Sequence, residues 1–456
     1  MKKLSRTNTE LILRGNMVHA ILAIAVPVIL NSFLQTVYNL TDTYWLGKIG
    51  TEPLAAINLV TPVQNIVLRF GLGATVAGSI MISQYVGAGK MASARRIANQ
   101  IFTVTMVFSV LCAVSLALLT PAIVTWLGAE GVTWQHSVNY LRIVILDMPF
   151  LLMVNIYQAV RQAQGDTVRP MLLNLLGISV NMALDPLLMI TFDMGASGAA
   201  LSTVLAKAVP AVIAFRLLCN RRETIHLTRS DMRPDIPLMK DVLRIGLPTA
   251  LGTSMFQLGF LLMYRNVLVY GVDAVAAYGI GNKINSLISL PSISIGSAVS
   301  TIVGQNMGAN QPQRAHRGFL LSMLMATGLL FTGGMILSRP ALSTAIVRIF
   351  TTDASVIAMA GDYLRIIAFW CWTNAVHDSI MNLFQGTGHT EVTMTLNITR
   401  IWVLRFATLW FFQHVMHMGV ESIWYSVVLS NGIAAILLAI LYFTGIWKKS
   451  RIKVRA

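Results

Sequence analysis

Apolar runs of eighteen or more residues recur along the whole chain, separated by short polar segments. A run of that length is hydrophobic on every face of a helix, which is the pattern of a membrane span. Twelve spans are predicted, at 18–41, 54–80, 98–120, 138–160, 170–191, 195–218, 244–270, 275–302, 318–338, 360–384, 392–413 and 420–446. An even number of spans puts both termini on one side of the membrane.

The pattern repeats. A shift of 221 residues carries Pro27 onto Pro248, Gly50 onto Gly271, Ala55 onto Ala276, Gln84 onto Gln305 and Arg96 onto Arg317. With a small insertion, Gln164-Gly165-Asp166-Thr167 faces Thr387-Gly388-His389-Thr390, and Met194-Gly195 faces Met418-Gly419. Six spans per half give both halves the same orientation. The expected fold is therefore an all-α membrane protein of two six-helix lobes, related by a parallel pseudo-two-fold repeat. Repeats of this kind hold substrate between the halves near the midplane. The expected divisions are an N-terminal lobe at 1–218, a linker at 219–241, a C-terminal lobe at 242–446 and a basic tail at 447–456.

Composition supports the membrane assignment. Hydrophobic residues are 55% of the chain and charged residues 11%, against about 25% charged in soluble domains. The net charge of +16 raises the question of nucleic acid, but the charges lie between spans. Lys2, Lys3, Arg6, Lys90, Arg95, Arg161, Arg169, Arg221, Arg222, Arg314, Lys448, Lys453 and Arg455 fall on one set of loops and ends, and the opposite set holds little beyond Lys48, Arg142, Lys283, Arg339 and Arg348. That asymmetry predicts cytoplasmic termini. The first apolar run is too long for a cleaved signal, so it is expected to stay as a span. Cys112, Cys219 and Cys371 have no metal-type spacing, and no nucleotide-binding motif is present. Energy for any transport is then expected from an ion gradient. No enzymatic constellation, nucleic-acid partner or cofactor is indicated. With no dedicated interaction segment outside the spans, a monomer is the expected working unit, with membrane lipid around it.

Two acids stand inside apolar runs of the first half, Asp42 and Asp185. A carboxylate at the bilayer centre costs roughly 2.5–3.5 kcal/mol on insertion scales, so one that is kept there usually has a task. Other polar groups within the same spans are Asn39, Tyr140, Asn155, Asn181 and Thr203. Asn181 and Asp185 are four apart and share a helix face. Such oxygens can surround a hard cation such as sodium, or two acids can raise one another's affinity for a proton. The residues alone leave both open, and the amides and hydroxyls also suit ordinary interhelical bonding. In the second half the repeat partners of the acids are Met263 and Thr408. Gln257, Asp378, Arg400 and Arg405 stand there as the polar groups, read either as an Asp–Arg brace or as a second coupling site at Asp378. Pro27 and Pro248 occupy matching places where each free carbonyl permits a bend.

Taken in order, several segments carry a resemblance. They are residues 38–47 around Asp42, Pro53-Leu54-Ala55-Ala56, Ser83-Gln84-Tyr85-Val86-Gly87-Ala88-Gly89, Gln164-Gly165-Asp166-Thr167 and Asn181-Met182-Ala183-Leu184-Asp185-Pro186, then Gly304-Gln305-Asn306-Met307-Gly308-Ala309. Over about 15–446 the chain resembles the multidrug and toxic compound extrusion (MATE) family. The resemblance implies a V-shaped pair of lobes exporting cationic amphipathic drugs by antiport with sodium or protons, in the inner membrane. It implies a cation site at Asp42, Asn181, Asp185 and Thr203, with a hydrogen-bond network at Asn39, Tyr140 and Asn155 and a helix bend at Pro27. Gln257 stands where one branch has a glutamate, so the coupling site resembles the DNA-damage-inducible F type; Asp378 matches an acid of the C-lobe site. A rival class is a lipid-linked precursor flippase, for which Arg69, Lys207, Arg265, Arg400 and Arg405 would hold pyrophosphate.

Overall fold

The computed structural model describes residues 2–48 and 51–452, and every regular element among them is helical. Gly50 of the repeat, and Lys453 and Arg455 of the basic tail, lie outside the described residues, as do the side chains of Lys2, Lys3, Arg6, Lys48 and Ala55.

Among the described residues, ten helices are long and apolar enough to cross a membrane. Spans 1 to 6 are Met17–Lys48, Thr51–Gly87, Met91–Trp126, Gly131–Ala163, Val168–Thr191 and Gly195–Leu218; spans 7 to 9 are Ile236–Leu268, Val272–Gly308 and Pro312–Leu337, and span 12 is Glu421–Phe443. Span 10 is a helix pair, Ala354–Trp370 and Trp372–Gly386, bent by 52°. At the break the Cys371 amide bonds back three residues to Ala368 O instead of four. Span 11 covers 390–414 in three pieces, the middle one a π-helical stretch at Thr399–Arg405 that holds Arg400 and Arg405. Spans 2 and 8 are each 37 residues long. That is about 55 Å of helix against a hydrocarbon core of about 30 Å, so both extend well past the apolar boundaries read from sequence. Two helices not predicted from the sequence are Lys2–Arg14, before span 1, and Pro340–Val347, between spans 9 and 10.

The repeat is visible in the backbone. Left-handed residues recur as Gly89 (φ 73°) and Asn310 (φ 56°), Gly165 (80°) and Gly388 (85°), and Asp193 (52°) and His417 (51°). The closing bonds recur with them: Lys90 N to Tyr85 O matches Gln311 N to Asn306 O, and Met194 N to Leu188 O matches Met418 N to Phe412 O. The same turn geometry thus ends the same helices in both halves, with Asn, Asp and His substituting where glycine is the usual residue.

The chain divides into two compact units. The first takes residues 2–10 and 26–250, the second 11–25 and 251–452. The division therefore falls inside spans 1 and 7, next to Pro27 and Pro248. In the first unit the segment after span 6 is strapped to the start of span 3. Asn99 Nδ2 donates to His226 O (3.1 Å), Gln100 Nε2 to Asp231 O (2.7 Å) and Arg233 O (2.6 Å), and Arg95 pairs with Asp231 at 3.0 Å. Behind it Glu223 is buried against Arg161 (3.0 Å) and Arg169 (3.3 Å). In the second unit the core is aromatic: Tyr278 stacks on Trp424 at 5.8 Å, and Tyr363 meets Trp424 edge-on at 4.7 Å. Gly281 makes room for this, because a Cβ there would lie 2.0 Å from Tyr363 Cδ1.

Two predictions follow from this packing. Gly281→Ala should destabilise by about 1–3 kcal/mol through overpacking. Gly279→Ala, where the nearest atom is 4.0 Å away, should be close to neutral; equal melting temperatures for the two variants in detergent would contradict the packing. The second concerns Glu223. Burial pushes its carboxyl up, but the Arg161 hydrogen bond and the Arg161 and Arg169 charges outweigh that and hold it below the ordinary value. A lowered folded-state value stabilises above the unfolded range and is lost as pH falls through it. Melting temperature should therefore drop on acidification below about pH 4. Glu223→Gln should start about 3 kcal/mol less stable at neutral pH and show a shallower acid decline.

Candidate functional site

The first unit contains a half-open cavity of about 480 Å³. Span 1 supplies Tyr38, Asn39 and Asp42, spaced to fall on one face. Span 2 supplies Gln64, span 4 Tyr140, span 5 Asn181 and span 6 Thr203 and Lys207. Five of the residues expected from sequence, Asp42, Asn39, Tyr140, Asn181 and Thr203, thus face one space from four spans. Asp185 lies behind the wall, fully buried, one turn beyond Asn181. Its Oδ1 accepts a short bond from Ser202 Oγ. Its Oδ2, and both polar atoms of the Asn181 side chain, are buried without a hydrogen-bond partner among the described residues. Buried polar atoms left without partners are costly, and an ion is one way to satisfy them. Two free amide and carboxylate oxygens beside Asp42 and the Thr203 hydroxyl suit a hard cation, which takes oxygen donors.

Asn155 is not part of the cavity wall: its amide donates to Leu151 O of its own helix (2.9 Å). Pro27 is buried in span 1, and one turn on, Asn31 Oδ1 accepts from Asn174 Nδ2 of span 5 at 3.0 Å.

Asp147 was not singled out from the sequence, although it too is an acid in an apolar run. It is fully buried and ends a short 3-10 stretch, Ile145–Asp147, in span 4. Pro149 follows, and a proline has no N–H to donate back to Ile145 O, which loosens the helix there. Asp147 Oδ2 pairs with Lys207 and also accepts from Gln64 Nε2 at 3.1 Å. Span 4 is thereby tied to spans 2 and 6 at the cavity.

The second unit is arranged otherwise. Asp378 accepts from Ser292 Oγ at 3.2 Å and meets His377 Nδ1 at 3.1 Å. Arg400 Nη1 reaches the same His377 nitrogen at 3.4 Å and its guanidinium lies over Phe256, 4.8 Å from the ring centre. Arg405 donates to Ser430 Oγ (3.2 Å) and Asn431 Oδ1 (2.9 Å). The Asp–Arg brace expected from sequence is not what forms: His377 stands between Asp378 and Arg400, and Arg405 is satisfied by neutral oxygens. Gln257 is exposed, unlike Asp378.

Ten apolar helices and one bent helix pair among the described residues, in two units with acids gathered around a cavity inside one of them, define a multi-pass membrane protein of the transporter class. The sequence profile of the MatE family matches residues 27–187 and 248–411, and the chain belongs to that family. The two matched stretches begin at the two helix prolines. The chain is 25% identical over 448 residues to "Probable multidrug resistance protein NorM" of Thermotoga maritima, covering 95% of this chain and 94% of that one. It is 22% identical over 370 residues to "Multidrug export protein MepA" of Staphylococcus haemolyticus, covering 81% of each. Its fold matches a crystal structure of MATE in complex with MaL6 with a TM-score of 0.90, at 24% identity over 96% of this chain and 98% of that one.

The Asp147–Lys207 pair sets a test of the site's architecture. Asp147→Asn leaves an ammonium without its counter-charge and should cost about 3 kcal/mol. Asp147→Asn/Lys207→Met removes both charges and should recover most of it. A thermal-unfolding cycle of the four proteins in which the two losses simply add would show that the pair does not form.

Proposed function

We propose that the chain is a multidrug antiporter that exports cationic amphipathic compounds across the inner membrane, coupled to entry of sodium or protons, with both termini cytoplasmic. The observation that carries this reading is the cavity of the first unit. Asp42, Asn181 and Thr203 line it, and Asp185 lies immediately behind with a free oxygen. The names of the relatives, a multidrug resistance protein and a multidrug export protein, support the substrate class and direction. Asp42 and Asp185 carry the coupling ion in this reading, with Asn181 and Thr203 adding oxygens. Tyr140 and Asn39 complete the wall. Ion binding neutralises the acids, weakens their hold on a cationic substrate and shifts span 1 about Pro27. Gln257, in the place of a glutamate, supports a coupling site of the F-type branch confined to the first unit; a second site at Asp378 is the less supported version. The working unit is a monomer surrounded by lipid.

The flippase reading needs free cations for a pyrophosphate. Of the cations considered for that role, Lys207 alone lines the cavity of the first unit, where Asp42 faces the same space, and Arg405 is bound to Ser430 and Asn431; one ammonium beside a carboxylate falls short of a clamp for two phosphates. That favours the exporter.

Ethidium transport in proteoliposomes, with sodium and proton gradients imposed separately, tests the proposal. Wild type should transport under one of the two gradients, and Asp42→Asn, folded and reconstituted equally, should lose at least about tenfold of that rate, since removing one carboxylate from an ion site costs well over the 1.4 kcal/mol of a factor of ten. Undiminished coupled export by Asp42→Asn overturns it.

A further inference from the structure

The cavity of the first unit presents a positive side chain as well as a negative one. Lys207 lines it from span 6, one turn beyond Thr203, and its side chain keeps 27% of its surface exposed. An ammonium has three N–H donors. Among the described residues only Asp147 accepts from Lys207, which leaves two donors for a ligand in the cavity. Asp147 is itself buried, and Gln64 shares the oxygen that Lys207 uses. The lysine head is thus held at the wall by a partner that a ligand does not reach. Asp42 lines the same cavity from span 1. The volume, about 480 Å³, is within the range of roughly 300–1,000 Å³ that encloses a drug-sized molecule.

A purely cationic ligand in this cavity is attracted by Asp42 and repelled by Lys207. A ligand with one cationic and one anionic end is attracted by both, and like-charge contacts are the main way such a site rejects a wrong ligand. We propose that Lys207 is an anion subsite and that the cavity selects zwitterionic amphiphiles, with a carboxylate or similar oxyanion on the Lys207 ammonium and the cationic end toward Asp42. This rests on the transporter reading of the same cavity and narrows its substrate class. Asp147 is the positioning residue: it keeps the ammonium at the wall, and Lys207 need not leave it to engage the ligand.

The test uses two dyes on one cationic scaffold, rhodamine 110 with its free carboxylate and the methyl ester of rhodamine 110. Binding to the purified full-length protein is read by fluorescence polarisation, and uptake is followed in proteoliposomes. Wild type should bind the acid about tenfold more tightly than the ester, the worth of one charge-assisted hydrogen bond. Asp147→Asn/Lys207→Met, which removes the charges without leaving one unpaired, should lose that preference. Lys207→Arg, which keeps the charge, should retain it. An acid-to-ester ratio that is the same in wild type and the double variant overturns the subsite while leaving a transporter of the ester in place. Failure of wild type to bind or move either dye overturns the transporter reading of this cavity and the subsite with it.

Discussion

The cost of holding charge away from water governs this molecule. Inside the spans every ionisable group must find a partner or be put to use, and the backbone must do the same. Here the two demands meet at the same places. Asp147 closes a 3-10 stretch, Asp185 stands just before Pro186 and the π-helical Leu187–Thr191, and Arg400 and Arg405 lie within the π-helical Thr399–Arg405. A regular helix aims its side chains on a fixed 100° schedule. A loosened turn breaks that schedule and lets a charged group reach a partner on a neighbouring span, as Asp147 reaches Lys207 and Arg405 reaches Asn431. Such irregular turns are tolerated only where protein or a cavity receives them, so their positions trace the polar interior of each unit.

The repeat makes a controlled comparison of the two units. Turn geometry survives in both, yet the first is hollow where the second is filled. Asp42 corresponds to Met263, which is fully buried in the aromatic cluster. Ile57, on the wall of the cavity, corresponds to Tyr278, and Ala200 corresponds to Trp424; these two large rings stack together in the second unit. Asp185 corresponds to Thr408, whose hydroxyl is spent on Leu404 O. Replacing small residues with rings removes the space, and replacing acids with Met and Thr removes the charge. At these positions one unit has a cavity and its counterpart is packed.

Much of this was legible in the sequence, for reasons that differ by feature. The spans were, because an apolar run is a local signal. So were Asp42 and Asp185, since a charge inside such a run is conspicuous, and so was the repeat, since turn residues recur at fixed offsets. What stayed hidden depends on neighbours from distant segments. The bond from Ser202 to Asp185 and the pairing of Asp147 with Lys207 join spans with no shared periodicity. Asn155 carries the same residue type as Asn181, and only the fold shows that it turns to its own helix while Asn181 faces the cavity. The 219–241 segment reads as a loose connection, yet its backbone is gripped by Asn99 and Gln100, two amides whose partners no local pattern announces. The division into units likewise falls inside spans 1 and 7, where hydrophobicity is continuous and gives no boundary.

In the proposed coupling, the cost of bending span 1 at Pro27 is modest enough for a single ion to drive. Pro27 already lacks one backbone bond, and one turn on the Asn174–Asn31 hydrogen bond is a side-chain link of this helix to span 5. Interhelical bonds of that kind within membranes average about 0.6 kcal/mol. Reversing a two-state equilibrium from 1:99 to 99:1 takes about 5.5 kcal/mol of differential binding. An ion that engages the free oxygens of Asn181 and Asp185 relieves buried groups worth about 1–3 kcal/mol each, so neutralising the acids and satisfying these atoms together reach that scale. Span 1 carries both Pro27 and Asp42 on one continuous helix, Met17–Lys48. In the proposed coupling, the acid that binds the ion and the proline at which the helix bends therefore belong to the same helix, and no longer chain of contacts is needed between them.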